Sequence, residues 1–385
     1  MKKLFLLLLS ATFVANATAQ AGKRKTATEN KKKIAVTEKG YTISGSITGV
    51  TEGDTIYLAD MNYFSFIPTD STVVKNASFS FKGQQKNPAL KFILCIKNKD
   101  IAASTDFILE NTDIKINLEK GSTKRKDVIG GRDNDLWNKF LVLENNITSK
   151  MDPYWKTSQD STLSDSVRTA AKNELDKIEK EQTAFHAKYI RENLPSGVSD
   201  ILLGYFAQKF DKSTFEEILA DMKRLCPKDP VYLEYTHQIE IERTTAIGRQ
   251  YTDVELKDPN GKAIRISDFI NKNKVTLIDF WASWCGPCRA EMPNVVKAYN
   301  SYKNKGFGII GISLDNNGES WKKAIETLQI SWPQMSDLKG WSSKGAAAYN
   351  ITAIPATILI NQKGEIIAKN LRGEDLEKKL AELLQ

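Results

Sequence analysis

The sequence predicts a multidomain chain with an all-β, sandwich-like N-terminal domain, an all-α middle segment and a C-terminal α/β domain. Three patterns carry that expectation. Short alternating runs broken by Gly, Asn and Asp fill residues 41–118. The hydrophobic spacing turns helical from Asp133. A strand–helix–strand order then follows, with Cys285-Gly286-Pro287-Cys288 at its first strand-to-helix junction. At 385 residues the chain exceeds one small core, so two or three domains are expected. With 41% hydrophobic and 26% charged residues it has the composition of an ordinary soluble protein.

The N-terminus reads as an export signal. Met1-Lys2-Lys3 is positive, Leu4 to Val14 is short and mostly apolar, and Ala17-Thr18-Ala19 is an A-x-A cleavage site before Gln20. The apolar core falls short of the about 20 residues a stable membrane span needs, and no comparable stretch follows. No cysteine lies near the cleavage site to carry a lipid. Residues 1–19 are therefore expected as a signal peptide, and the mature protein as a periplasmic one with no stable membrane insertion. Residues 20–39 are a basic linker with Lys23-Arg24-Lys25 and Lys31-Lys32-Lys33. The net charge of +8 is spread along the chain, and these runs read as solvated linker rather than as an anchor to an anionic envelope surface. No basic motif is interleaved with aromatics, so nucleic acid is not an expected partner.

The β-rich domain is expected over 40–130. Its strands are Tyr41 to Ile47, Thr55 to Leu58, Ala77 to Phe81, Leu90 to Ile96, Asp106 to Leu109 and Ile114 to Leu118. Residues 131–246 form the helical segment. Leu136, Phe140, Leu143 and Ile147 recur at helix spacing, and a long charged helix covers Ala170 to Tyr189. Another continues through Ile201 to Phe206, and Ser213 with Glu216 three residues on marks a further helix start. Pro227 and Pro230 punctuate its end. The last domain, 247–385, has strands at Ile264 to Ile266, Val275 to Phe280, Gly308 to Leu314, Ala356 to Ile360 and Glu365 to Ala368. Its helices are Cys285 to Tyr302, Trp321 to Leu328 and Glu374 to Leu384.

An exported chain with only four cysteines relies little on structural disulfides. Cys95, inside Phe92-Ile93-Leu94-Cys95-Ile96, reads as a buried inert thiol. Cys226 sits at a helix end, and spacing alone does not specify whether it meets Cys95.

Cys285 and Cys288 carry the chemistry. Only a thiolate attacks a disulfide, and a free thiol has a pKa of about 8.5. A helix start lowers it, because unpaired N–H groups and the positive dipole end face the sulfur. Pro287 is tolerated in that first turn. Cys285 is then the attacking sulfur, and Cys288, one turn on and facing inward, the sulfur that resolves the mixed disulfide. Asp279 lies in an apolar strand six residues before Cys285. Burial should raise its pKa and suit it to take the proton of Cys288; the plainer alternative is an acid satisfied by backbone or water. Glu291, three residues after Cys288, either assists that transfer or is a solvated helix carboxylate. Downstream, Ile354-Pro355 opens a strand where proline cannot donate to the ladder. A cis bond there would place a tight turn by the thiols and leave Ile354 main-chain groups to pair with a substrate strand. Trp284 completes the expected substrate contacts.

The stretch Asp279-Phe280-Trp281-Ala282-Ser283-Trp284-Cys285-Gly286-Pro287-Cys288, with Pro293 and Ile354-Pro355, resembles thioredoxin. The longer form through Glu291-Met292-Pro293 resembles the exported TlpA/ResA-type thiol-disulfide oxidoreductases, and Asn316 to Trp341 resembles their extra insertion. Residues 41–128 resemble the β-rich domain of unknown role that precedes such domains in exported proteins of Gram-negative bacteria. The resemblance implies Cys285 as nucleophile, Cys288 as resolving thiol and Pro355 as the cis-proline. It also implies a periplasmic reductase of exported disulfide proteins, recharged by a membrane thiol electron donor, with no cofactor. The Gly286-Pro287 pair departs from many relatives and matches cytosolic thioredoxin.

Other readings are weaker. Half a zinc site would need two further ligands, and the only histidines, His186 and His237, lie in the helical segment. A peroxidase would need Pro and Thr where Ile278 and Ala282 stand. Disulfide oxidase or isomerase work, and an envelope binding or assembly module with an accessory redox domain, remain as alternatives.

Overall fold

The computed structural model describes residues 40–62, 65–97, 100–121 and 128–385. The expected signal peptide and basic linker, 1–39, lie outside the described residues. The chain divides into two compact units between Tyr232 and Leu233.

The first unit begins with seven strands: β1 (Tyr41–Thr48), β2 (Thr55–Asn62), β3 (Ser65–Val73), β4 (Ser78–Gly83), β5 (Ala89–Lys97), β6 (Asp100–Leu109) and β7 (Asp113–Glu119). They form a three-stranded sheet, β4-β1-β7, and a four-stranded sheet, β3-β2-β5-β6. The alternation that announces β7 is exact in burial: Ile114, Ile116 and Leu118 point in, and their neighbours point out. One core joins the inner faces of both sheets through Ile43, Ile56, Ile93, Phe107 and Ile114, which makes the domain sandwich-like. Cys95 is wholly buried in this core and Cys226 is also a free thiol, so no bridge joins them. Strand β3 has no counterpart among the strands read from sequence. It is almost entirely exposed and contains Pro68, so it shows no alternation, and an edge strand tolerates the missing N–H.

Five helices follow, α1 (Arg132–Thr148), α2 (Met151–Gln159), α3 (Asp165–Glu192), α4 (Gly197–Phe206) and α5 (Lys212–Leu225), and then α6 (Pro230–Thr244), within whose first turn the division between the units falls. Helix α1 is fixed to β6 by Asn134, whose side chain exchanges hydrogen bonds of 2.9 and 2.8 Å with the Ile108 backbone. Trp137 Nε1 adds a bond of 2.6 Å to Asp106. The expected stripe on α1 is partly displaced. Phe140 and Ile147 are buried, but Leu143 is exposed and Glu144 points inward. Glu144 accepts from Gln182 at 2.5 Å and meets His186 Nε2 at 2.8 Å, so a buried polar network holds α1 to α3. Ser213 does not cap α5. Asp211 does, accepting the Thr214 N–H at 2.8 Å, because a carboxylate two residues earlier already meets that donor. Pro230 opens α6 rather than ending the helical run, since proline fits a first helical turn.

The second unit holds β8 (Glu255–Lys257), β9 (Ala263–Arg265), α7 (Ser267–Ile270), β10 (Val275–Trp281), α8 (Gly286–Tyr302), β11 (Phe307–Ser313) and α9 (Gly318–Thr327). After these come β12 (Gln334–Met335), α10 (Lys344–Ala348), β13 (Ala356–Asn361), β14 (Ile366–Lys369) and α11 (Gly373–Leu383). The main sheet has the order β12-β11-β10-β13-β14, with β10 at its centre. Strand β10 is parallel to β11 and antiparallel to β13. Every residue of β10 and β11 is buried, as the continuous apolar runs require of strands covered on both faces. Among the described residues no helix is long and apolar enough to cross a membrane.

Candidate active site

The site forms where β10 ends. Its last ladder pair is Phe280 with Ala356. Pro355 comes next along β13 and has no N–H to extend the ladder. The chain leaving β10 and the Ile354–Pro355 turn are therefore neighbours by register, and that peptide bond is cis. The Ile354 carbonyl oxygen lies 3.8 Å from Cys285 Sγ.

Cys285 is the N-cap of α8. Its Sγ accepts the Cys288 N–H at 3.2 Å, the contact that would stabilise a thiolate at this helix start. The two sulfurs are joined at 2.06 Å, so the pair is in its oxidised form. Cys285 is 5% exposed and Cys288 2%. Trp284, immediately before them, is 51% exposed.

Asp279 sits within the buried strand, and its Oδ2 has no hydrogen-bond partner. Burial, reinforced by the Glu291 carboxylate and opposed by the Arg372 guanidinium, pushes its pKa up to about 7. Glu291 is half-buried and tied rather than free. Its Oε1 accepts the Gly373 N–H at 2.7 Å and its Oε2 accepts from Asn294 at 3.0 Å. The structure thus joins Cys285 to Cys288 and sets the Ile354 carbonyl, beside Pro355, against the Cys285 sulfur; Trp284 adjoins Cys285 in the chain, and the Glu291 carboxylate acts on Asp279 through its charge.

Three neighbours carry no motif signal. Arg372 donates to the Pro355 carbonyl and faces Asp279 with its charge. Asp315 accepts from both the Ser283 N–H, at 2.9 Å, and the Ser283 hydroxyl, at 2.5 Å. Gln334 accepts the Trp281 indole N–H at 2.9 Å, across a gap that Gly311 leaves open: a Cβ there would fall 2.2 Å from the Gln334 amide. Among the described residues no group of three or more His, Cys, Asp or Glu is assembled as a metal site.

Residues 247–369 match the AhpC/TSA family, and residues 41–137 match a domain of unknown function, DUF4369. The thiol-disulfide oxidoreductase ResA of Bacillus thuringiensis subsp. konkukian is 31% identical over 144 residues, 37% of this chain and 80% of that protein. ResA of Geobacillus kaustophilus is 31% identical over 152 residues, 39% and 84% of the two chains. Among solved structures, the thioredoxin domain of a thiol-disulfide oxidoreductase from Bacteroides vulgatus is 37% identical, covers 36% of this chain and 99% of its own, and has a TM-score of 0.34. The chain belongs to the ResA/TlpA-like thiol-disulfide oxidoreductases of the thioredoxin fold, with an additional N-terminal domain.

Proposed function

We propose that the chain is a periplasmic reductase of disulfides in exported proteins, its redox domain spanning 247–385 behind the β-rich domain of 40–130 and the helical segment of 131–246. The observation that carries the reading is a buried carboxyl, Asp279, whose Oδ2 has no hydrogen-bond partner and whose pKa is pushed up to about 7, on the strand that leads into the cysteine pair. A group poised near neutrality both accepts and returns a proton.

The cycle starts from the dithiol. Cys285 thiolate attacks one sulfur of the client disulfide, that S–S bond breaks, and the first client thiolate leaves. Trp284, the Ile354 main chain and Pro355 hold the client segment. Asp279 takes the Cys288 proton, with the Glu291 charge helping to hold the Asp279 pKa up. Cys288 thiolate then attacks Cys285, and the second client thiolate leaves. The client gains two electrons, and the pair ends as the disulfide seen here. A membrane thiol donor returns two electrons and two protons.

Trapping tests the reading. A Cys288→Ala variant should accumulate mixed disulfides with exported proteins, identified by mass spectrometry. The reduction potential should lie near the about −270 mV of thioredoxin; a value above about −180 mV would replace the reductase with an oxidase or isomerase.

A further inference from the structure

Two exposed indoles lie together, and only one of them, Trp284, directly before Cys285, belongs to the cysteine motif. Trp341 is 40% exposed and its ring centroid lies 6.2 Å from that of Trp284. It comes from the segment between β12 and α10, 57 residues further along the chain. Leu338, in the same segment, is also 40% exposed.

One buried residue holds these surfaces together, by its side chain on the Trp284 side and by its main-chain carbonyl on the Trp341 side. Asp315 is 1% exposed. Its carboxylate accepts both hydrogen bonds from Ser283, which directly precedes Trp284, and a third from the Ser313 hydroxyl at 2.7 Å. Its carbonyl accepts the N–H of Gly340, which directly precedes Trp341, at 3.3 Å. Ser336 fixes the rest: its hydroxyl donates to the Ser313 carbonyl at 2.8 Å and accepts the Leu338 N–H at 3.0 Å. The two indoles are thus set in place before any client arrives, which lowers the entropy lost on binding. The exposed charges that border them in the chain are cationic. Arg289 reaches the Ser283 carbonyl at 3.5 Å, and Lys339 and Lys344 flank Trp341 in sequence. Two carboxylates lie in the same stretch, the buried Asp315 and Asp337, whose Oδ2 accepts the Lys344 N–H at 2.9 Å while its Oδ1 has no hydrogen-bond partner, so the three cations outnumber them.

We propose that Trp341 is a specificity-determining residue of the exchange site: with Trp284 and Leu338 it takes a large apolar side chain next to the client's cysteine, in an extended segment that carries acidic residues. Asp315 is its positioning residue. The proposal rests on the thiol-disulfide exchange reading and adds what the site selects.

The test uses full-length reduced protein and three disulfide-closed peptides that differ only beside one cysteine: Phe with Glu, Ser with Glu, and Phe with Lys. The wild type should reduce the Phe–Glu peptide about tenfold faster in kcat/KM than the Ser–Glu peptide, the discrimination one buried apolar side chain supplies. The Phe–Lys peptide should fall between them. Trp341→Ala should bring the Phe/Ser ratio to about twofold or less by raising KM for the Phe peptides, and Trp341→Phe should restore part of it. Ser283→Ala, which removes one bond to Asp315, should lower the same ratio through KM. A Trp341→Ala ratio equal to that of the wild type, or a wild type indifferent to Phe, would overturn the proposal. If the protein instead oxidises the reduced peptides, the reductase direction fails, and the same ratios measured in that direction still decide the role of Trp341.

Discussion

Asp279→Ala replaces a buried carboxyl by a methyl, and its two consequences have opposite signs. The carboxyl of Asp279 titrates at about 7 in the folded chain against an ordinary 3.8. A raised folded pKa means the folded state holds the proton after the unfolded state has lost it. The stability this carboxyl contributes is complete below pH 3.8 and is lost as the pH rises through about 7. About three pKa units at 1.36 kcal/mol each make that loss about 4 kcal/mol. The variant has no such slope. It forfeits about 1 kcal/mol to the cavity, so above pH 8 it should exceed the wild type by about 3 kcal/mol. Urea unfolding of the oxidised protein at pH 5 and pH 9 reads the difference through tryptophan emission, since five of the seven tryptophans lie at positions 281, 284, 321, 332 and 341. Activity should move the other way. Resolution of a mixed disulfide at pH 7 should slow by about a hundredfold for want of a proton acceptor, and the gap should close towards pH 9 as the Cys288 thiol ionises unaided. Parallel stability–pH curves for the two proteins would refute the buried-carboxyl argument, and an unchanged resolving rate would refute its catalytic use.

Further outcomes follow from single contacts. Arg372→Met removes the cation that restrains Asp279, so the pH midpoint of the resolving rate should shift to higher pH; a fixed midpoint would leave Arg372 serving only the Pro355 carbonyl. Gly311→Ala places a Cβ into the Gln334 amide and should cost about 2 kcal/mol by pushing Gln334 off the Trp281 indole. Hydrogen exchange across β11 measures it, and protection equal to wild type would show that the sheet yields without cost. Glu144→Ala strips the buried acceptor shared by His186 and Gln182 and should destabilise the first unit by about 3 kcal/mol. Exchange along α3 reads that loss, and a change under about 1 kcal/mol would mean the network is replaced by water.

Much of the fold was legible because its signals are local. The alternation in β7, the unbroken apolar run of β10 and the proline-tolerant start of α8 each lie within a few residues. The exceptions share a cause. Strand β3 is exposed on both faces, so nothing in its composition records pairing that depends on β2. Glu144 faces inward only because His186 and Gln182 of another helix receive it.

The chain by itself determined which sulfurs pair, since three residues and a helix start suffice to bring Cys285 and Cys288 together. It also determined the strand that carries Asp279 and the proline that cannot extend the ladder. Tertiary structure alone decided how that carboxyl is tuned and what surrounds the sulfur. The Gly373 N–H reaches Glu291 across 82 residues, Arg372 reaches Pro355 across 17, and Ser283 reaches Asp315 across 32. Electrostatic energy falls with distance through space and is indifferent to distance along the chain, so such partners become visible only when packing closes the intervening loops.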